Sequence, residues 1–346
     1  GQDWFSDAAG PITELPVGGL VTGVIPVDLG DGPAVLTLGY RDGEPAPDLI
    51  IDMVDRVVSS VAALPGSDRL STVAAIADFD DDELVDIWVG RDIGWQSGGD
   101  SIYSRTEPRG DWVDVAVGLG AALEVDSAGL VVADLNGDNR LDAYVSDLGD
   151  NELLLGSRSG FAPVLDVGVA RIRSADAADN EISRSWGSGA VDWNLDGLLD
   201  IVVVNGGFSD ISVPNKVVNT FILESDPPSI LLATGAGSFV DAWPIVGPEW
   251  SGRSRGLTLG DVDGDGDVDM IVVDHEGALH AIRNDGSVVG QVWSASTGCL
   301  STGSEARVET AADSWTVLTH QLSFLGGHAP QVISPPGSTT AASCKD

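Results

Sequence analysis

The chain has 346 residues, which is long enough for one large domain or two ordinary ones. Its 54 acidic and 17 basic residues give a formal net charge of −37. Such a charge argues against binding to nucleic acids and disfavours association with anionic membranes. No run of about 18 apolar residues occurs, so the sequence predicts no membrane span.

Composition alone leaves two explanations of the acidity open. Carboxylates keep a protein surface hydrated in salt, and they also bind cations. The sequence does not open on a charged and apolar leader, and we interpret it as the mature form of a secreted protein. We therefore expect an extracellular or periplasmic location.

In chain order, apolar runs before Tyr40 predict strands, and residues 38–49 resemble a decayed copy of a repeat that is intact further on. In the decayed copy Tyr40 takes the place of the first aspartate. The intact copies share the pattern D-x-[DN]-x-D-x-x-x-D, and a strand-like apolar run follows each of them. They start at Asp78, Asp134, Asp192 and Asp261.

The spacing of the repeat predicts a cation site in each copy. Alternate residues of a tight loop can direct the oxygens of positions 1, 3 and 5 at one point, and a backbone carbonyl at position 7 and a carboxylate at position 9 complete the set. Such a set of hard oxygens is what Ca²⁺ prefers, and we expect about four structural Ca²⁺ ions. The predicted ligands are Asp78, Asp80, Asp82, Leu84, Asp86, Asp134, Asn136, Asp138, Arg140, Asp142, Asp192, Asn194, Asp196, Leu198, Asp200, Asp261, Asp263, Asp265, Asp267 and Asp269.

Position 6 of the loop has to turn sharply, which favours Gly or Asn in the left-handed region. Asn139, Gly197 and Gly266 fit this expectation, whereas Glu83 does not and makes the first loop the least regular. The loops are not EF-hands, because position 12 is Val in every copy instead of Glu. Acidic turns that merely separate strands would explain one copy, but not four copies in register.

The starts of the repeats lie 38, 56, 58 and 69 residues apart, counted from Tyr40. A period of about 55 residues fits one four-stranded blade of a β-propeller, with the acidic loop between strands 1 and 2. We predict an all-β propeller over residues 1–333 with six blades, or seven as the alternative. Strands from both ends of the chain are expected to close it, with residues 288–293 as the last strand of the fourth intact repeat.

The C-terminal region ends in a Pro-, Ser- and Thr-rich tail, residues 334–346. Cys299 and Cys344 are the only cysteines, and both lie near this end. We interpret them as a disulfide formed in an oxidising compartment, with free thiols or an intermolecular bond as alternatives.

The loops resemble the FG-GAP, or VCBS, repeats of integrin α-subunit propellers and of bacterial secreted proteins. The resemblance to the cartilage acidic protein (ASPIC/UnbV) group rests on the run from Trp186 to Asp192 and on a hairpin from Asn151 to Phe161. It covers residues 30–290 approximately. Membership would imply extracellular binding or adhesion and would not imply a reaction.

A ligand is expected at the propeller end opposite the acidic loops, where the long connections fall. Trp and Arg are enriched at binding hot spots, and several gather in these connections. The candidates are Trp95, Arg184, Trp186, Trp250, Arg253 and Arg255. The alternative is that the tryptophans fill the spaces between blades and the arginines pair with local acids.

The first functional hypothesis is an extracellular calcium-binding module for binding, adhesion or assembly, with a protein or carbohydrate ligand. The second is a secreted lyase, hydrolase or cyclase whose site lies on the same ligand end, although no G-x-S-x-G or H-E-x-x-H motif occurs. The third is a subunit of a larger extracellular complex or filament.

Overall fold

The computed structural model describes residues 20–29, 32–41, 44–54, 57–92, 98–147, 149–164, 181–182, 184–207, 221–222, 226–275, 277–286, 291–294, 305–309, 314–318, 321–323, 326–328, 331–334 and 341–345. From residue 291 onward only the backbone of the strands is described. The described residues form a β-propeller arrangement of small antiparallel sheets.

Five blades are present in these described ranges, and each follows the chain from its innermost strand outward. Blade 1 contains β1 (Leu20–Asp28), β2 (Pro33–Arg41), β3 (Glu44–Pro45), β4 (Leu49–Val54) and β5 (Val57–Ala63). Blade 2 contains β6 (Ser71–Ala77), β7 (Asp86–Arg91), β8 (Ser101–Ser104) and β9 (Val113–Asp114). Blade 3 follows helix α1 (Ala116–Leu119) and contains β10 (Ser127–Ala133), β11 (Asp142–Asp147), β12 (Glu152–Ser157) and β13 (Gly160–Pro163).

The remaining strands lie in blades 4 and 5 and in smaller pairs. Between blades 3 and 4 comes β14 (Glu181–Ile182), which pairs in parallel with β17 (Phe221–Ile222). Blade 4 contains β15 (Ser185–Val191), β16 (Asp200–Asn205), β18 (Ser229–Gly235) and β19 (Ser238–Asp241), followed by helix α2 (Trp243–Val246). Blade 5 contains β20 (Ser254–Gly260), β21 (Asp269–Asp274) and β22 (Leu279–Ile282). The C-terminal strands are β23 (Gln291–Ser294), β24 (Glu305–Glu309), β25 (Ser314–Leu318), β26 (Gln321–Ser323), β27 (Gly326–His328), β28 (Gln331–Ser334) and β29 (Ala341–Lys345).

Both faces of the inner strands are covered, which explains why they are continuous apolar runs without alternation. Every residue of β7 and of β11 is buried. Side chains of β7 such as Trp88 face blade 3, whereas Ile87 and Val89 face blade 1. Four apolar clusters of this kind link the five blades in sequence, each built chiefly from two successive blades.

The prediction of six blades, with seven as the alternative, is wrong, because the described residues form five. β1 and β2 complete blade 1 with β4 and β5, because strands joined by a short turn pair with the least loop-closure entropy. At the other end, β25, β24 and β29 add in that order to the edge of blade 3. Residues 288–293 are expected as the last strand of blade 5, but β23, which holds residues 291–294, pairs with β28 instead.

The prediction that residues 38–49 form a decayed copy of the acidic loop is also wrong. Residues 38–49 join β2 to β4, the second and third strands of blade 1, whereas the intact loops join first and second strands. Asp48 aligns with position 9 of the intact loops, but it bonds to the next blade. Its Oδ2 accepts hydrogen bonds from Arg91 Nη1 and Ser71 Oγ of blade 2, both at 2.8 Å.

Buried polar contacts of this type connect neighbouring blades. Asp48 and Asp100 each precede the third strand of their blade. Ser127 Oγ of blade 3 donates to Asp100 Oδ1 at 2.9 Å, as Ser71 of blade 2 donates to Asp48. The side chains of Asp48 and Arg91 are both inaccessible to solvent. Each aspartate thereby fixes the first strand of the next blade.

We expect Asp48→Ala to lower the free energy of unfolding by about 3–5 kcal/mol, because it leaves the Arg91 guanidinium buried without its carboxylate. Urea unfolding measures the change. Asp285→Ala, which removes an exposed partner of Arg283, serves as the control and should cost about 0–1 kcal/mol. Equal effects of the two substitutions would contradict the structural role of the buried pair.

Candidate metal-binding loops

The four acidic loops lie where the sequence predicts them, between the first and second strands of blades 2 to 5. They comprise residues 78–85, 134–141, 192–199 and 261–268. In the first three, the aspartate at position 1 accepts backbone N–H bonds from positions 5 and 6 at 2.7 to 3.0 Å. In the fourth, Asp261 Oδ1 accepts from Gly264 at 2.7 Å. The loop is thus wound around its own first carboxylate.

Position 6 is left-handed in all four loops, as predicted, with φ between 64° and 101°. Glu83 adopts φ 71° although it is neither Gly nor Asn. Position 4 is left-handed as well, which the sequence did not predict, and it is occupied by Asp81 and Leu195 in two loops. The aspartates therefore impose the turn even on residues with a Cβ atom.

The aspartate at position 9 anchors each loop to the sheet. Its Oδ2 accepts the N–H of position 2 at 2.8 to 2.9 Å in all four loops. In blades 3, 4 and 5 its Oδ1 accepts a second N–H, from Gly156, Ala233 and Asn284 respectively. In blade 2 the corresponding Oδ1 of Asp86 is buried and accepts no hydrogen bond.

Two loops hold clustered carboxylates suited to a cation. Oxygens of Asp78, Asp80 and Asp86 all lie within 4.8 Å of one another, as do those of Asp261, Asp263 and Asp265. Asp80 Oδ1 and Asp86 Oδ1 are both buried without a hydrogen-bond donor. Unpartnered oxygens of like charge are unfavourable together, and a divalent cation would relieve them. The residues of blade 2 fit a cation in this respect.

In blades 3 and 4 an asparagine stands at position 3. Asn136 Oδ1 accepts the Asp138 N–H at 2.8 Å, and Asn194 Oδ1 accepts the Asp196 N–H at 3.1 Å. These amide oxygens occupy the same place in the loop as the carboxylates of Asp80 and Asp263. They offer the oxygen type that a hard cation binds, with one negative charge fewer in each loop.

Two arginines already contact the loops. Arg283 Nη1 lies 3.1 Å from Asp263 Oδ2 in blade 5. Arg140 Nη1, at position 7 of the blade 3 loop, lies 3.6 Å from Asp81 Oδ2 of the blade 2 loop. Both pairs are largely exposed, so each contributes little to stability.

Burial raises the pKa of several loop carboxyls. The pKa rises to about 7 for Asp86 and Asp142 and to about 8 for Asp200. Neighbouring carboxylates of the same loop raise it further, whereas the backbone N–H bonds to these groups lower it. Ionising them all in the folded state is therefore costly unless a cation is bound.

At the opposite end, two predicted ligand-binding residues pack on each other. The Arg255 guanidinium lies 4.2 Å from the centre of the Trp186 ring, and both side chains are buried. Trp186 Nε1 and Arg255 Nη1 donate to the Gly206 carbonyl at 2.8 and 3.1 Å. Trp186 also belongs to the apolar cluster between blades 4 and 5.

Three other predicted residues lie at this end with part of their surface accessible. Trp250 packs edge-on against Trp243 at 6.0 Å, and the Arg253 N–H donates to Asp274 Oδ2 at 2.6 Å. Arg184 lies near acidic side chains that raise its pKa, although burial has the larger, opposite effect. Trp95 and Cys299 lie outside the described residues, and only the backbone of Cys344 is described.

Sequence reasoning missed a serine that precedes the first loop aspartate by seven residues in every repeat. These serines are Ser71, Ser127, Ser185 and Ser254. The first three donate side-chain hydrogen bonds to Asp48, Asp100 and Asn205. The constant spacing was visible in the sequence and could have identified them.

Comparison with known proteins supports the resemblance seen in the sequence. Residues 192–272, from the acidic loop of blade 4 to the second strand of blade 5, match the family model for the FG-GAP-like repeat. This segment is an FG-GAP-like repeat. Among curated proteins, no sequence matches the chain.

Among solved structures, the FG-GAP-like chain is similar to the crystal structure of the V. cholerae biofilm matrix protein Bap1, with 13% sequence identity and a TM-score of 0.35. The match covers 94% of this chain and 50% of that chain, so it spans about half of the matrix protein. No helix in the described ranges is long and apolar enough to cross a membrane.

In calcium-depleted buffer, we expect the melting temperature to fall as the pH rises from 5 to 8. The buried carboxyls bind protons in the folded state up to a pKa of about 7 to 8, whereas an aspartate in an unfolded chain has a pKa of about 3.9. Folding stability is therefore lost as they ionise. Calcium should flatten this dependence, because it binds the ionised form.

Thermal melts at high salt separate this effect from repulsion across the acidic surface, which salt screens. The fall in melting temperature with rising pH should persist at high salt if the buried carboxyls cause it. A melting temperature that rises over the same pH interval without calcium would contradict the assignment.

Proposed function

We propose that this protein is an extracellular β-propeller that binds Ca²⁺ in its acidic loops and acts as a binding, adhesion or assembly module. The observation that carries the metal assignment is the blade 2 cluster of Asp78, Asp80 and Asp86, with its two buried oxygens that lack donors. Hard oxygen donors at this spacing suit Ca²⁺ better than a softer metal.

The common backbone of the four loops extends the proposal to blades 3, 4 and 5. All four loops fold around the carboxylate at position 1. In each of them a buried aspartate at position 9 accepts the N–H of position 2 and anchors the loop. Four ions would add eight positive charges to a chain of formal net charge −37. Their role would be structural, since an ion that binds only the folded state stabilises it by mass action.

Thermal unfolding with and without Ca²⁺ tests the metal assignment. We expect excess Ca²⁺ to raise the melting temperature, by the equivalent of about 2.7 kcal/mol per site at a hundredfold excess over Kd. Asp80→Asn should reduce the rise, because it removes a predicted ligand charge.

Asp81→Asn is the matched control, since it removes an equal charge from an exposed position of the same loop. Its calcium response should resemble that of the unmodified protein. Equal losses in the two variants would indicate a general electrostatic effect, and an unchanged melting curve in excess chelator would overturn the assignment.

The binding role is proposed for the end opposite the loops. Trp250 and Arg253 are partly accessible there, and the buried Trp186–Arg255 stack at the same end holds the connection after β16 through the Gly206 carbonyl. An aromatic ring beside a guanidinium is a common composition of binding hot spots. An extracellular location agrees with an FG-GAP-like repeat and a strongly acidic chain.

A binding screen with saccharides and extracellular proteins, run on the calcium-loaded and calcium-depleted protein, tests this role. We expect binding that is weakened at least tenfold by Trp250→Ala. Arg158→Gln, an exposed substitution in the β12–β13 turn, is the control. A ligand whose affinity is unaffected by Trp250→Ala would place the binding surface elsewhere.

A further inference from the structure

A cleft of about 760 Å³ lies between blade 1 and the connection that follows β8 in blade 2. Its volume is within the range of small-ligand sites, about 300–1,000 Å³. It is separate from the metal-ligand positions of the loops and from the Trp250 surface. Its polar lining consists chiefly of Asp52, Ser59, Ser60, Arg105, Arg109 and Asp111.

One wall of the cleft is fixed by Arg105 and Trp112. The Arg105 guanidinium lies 4.5 Å from the centre of the Trp112 ring, and its Nη2 donates to the Leu29 carbonyl of blade 1 at 3.0 Å. Only 3% of Arg105 is exposed. This wall therefore needs no rearrangement to receive a ligand, which lowers the entropy cost of binding.

Arg109 stands in an unfavourable backbone conformation at the mouth of the cleft. The Gly110 N–H donates to the Glu107 carbonyl at 2.9 Å, which closes a turn with Pro108 and Arg109 at its centre. Arg109 has φ 59°, a value that such a turn normally gives to Gly or Asn. A positive φ is uncommon for a residue other than glycine, and here the turn places an exposed guanidinium beside the cleft.

The polar groups define the ligand chemistry. Basic residues are scarce in a chain of net charge −37, yet two arginines line this cleft, together with Asp52 and Asp111. A guanidinium binds a carboxylate through paired hydrogen bonds. Asp52 and Ser60, which are hydrogen-bonded to each other, provide acceptors and a hydroxyl of the kind that recognise sugar hydroxyls.

We infer that this cleft binds a carboxylated saccharide, with Arg109 contacting the carboxylate and the Arg105–Trp112 wall supporting the sugar ring. The end of β8 lies close to the acidic loop as well, since Ser104 Oγ donates to Asp80 Oδ2 at 3.0 Å. The cleft is therefore best tested with the loops saturated by Ca²⁺.

Saturation-transfer difference NMR with a hyaluronan tetrasaccharide, which carries glucuronic acid, tests the inference on the calcium-loaded chain. The expected result is saturable binding that weakens at least tenfold when the carboxylates are methyl-esterified. Arg109→Gly should weaken binding at least tenfold while the melting temperature stays equal or rises, because glycine removes the backbone strain.

Arg158→Gln removes one charge from an exposed turn of blade 3 and should leave binding unchanged. If Arg109→Gly lowers the melting temperature, Arg109→Gln provides the same comparison without altering backbone freedom. The inference is overturned if the tetrasaccharide does not bind, if its methyl ester binds equally, or if neither Arg109 variant weakens binding.

Discussion

In blades 3, 4 and 5, each acidic loop depends on one carboxylate that joins three segments of its blade. In blade 3, Asp142 opens the second strand, accepts the N–H of Leu135 in the loop and accepts the N–H of Gly156 in the third strand. The loop of blade 3 is thereby fixed to the sheet by a buried carboxyl, and burial raises the pKa of this group to about 7. The same hydrogen bonds that order the loop therefore also bring its negative charges together.

The positions of the loops could be predicted because the repeat keeps the same residue types at positions 1, 3, 5 and 9. The sequence was less informative about how regular the conformation of each loop is. Glu83 made the blade 2 loop look the least regular, yet this loop adopts the same left-handed turn and holds one of the two preformed carboxylate clusters. Hydrogen bonds from two backbone groups to Asp78 outweigh the small cost of a side chain at positive φ.

The number of blades could not be predicted from the spacing of the loops. Blade 1 lacks the acidic repeat, and its first two strands are joined by residues 29–32, so counting repeats does not reveal it. The Asp48 region looked like a repeat because an aspartate follows a strand there too, but that aspartate bonds to Arg91 in the next blade. At the opposite end, Trp186 and Arg255 illustrate a general limit, since packing between blades and ligand binding select the same residue types. The structure shows that both side chains donate to the Gly206 carbonyl, which the sequence does not indicate.

The linear succession of apolar clusters has a consequence for how such a chain can grow. Because each cluster is built chiefly from two consecutive blades, stability is approximately a sum of nearest-neighbour terms. Among the described residues, blades 1 and 5 each contribute to one cluster, so a change in a terminal blade disturbs one of these junctions, whereas damage in a middle blade weakens two. Modular gain and loss at the ends is therefore the least disruptive route by which chains of this type acquire different lengths.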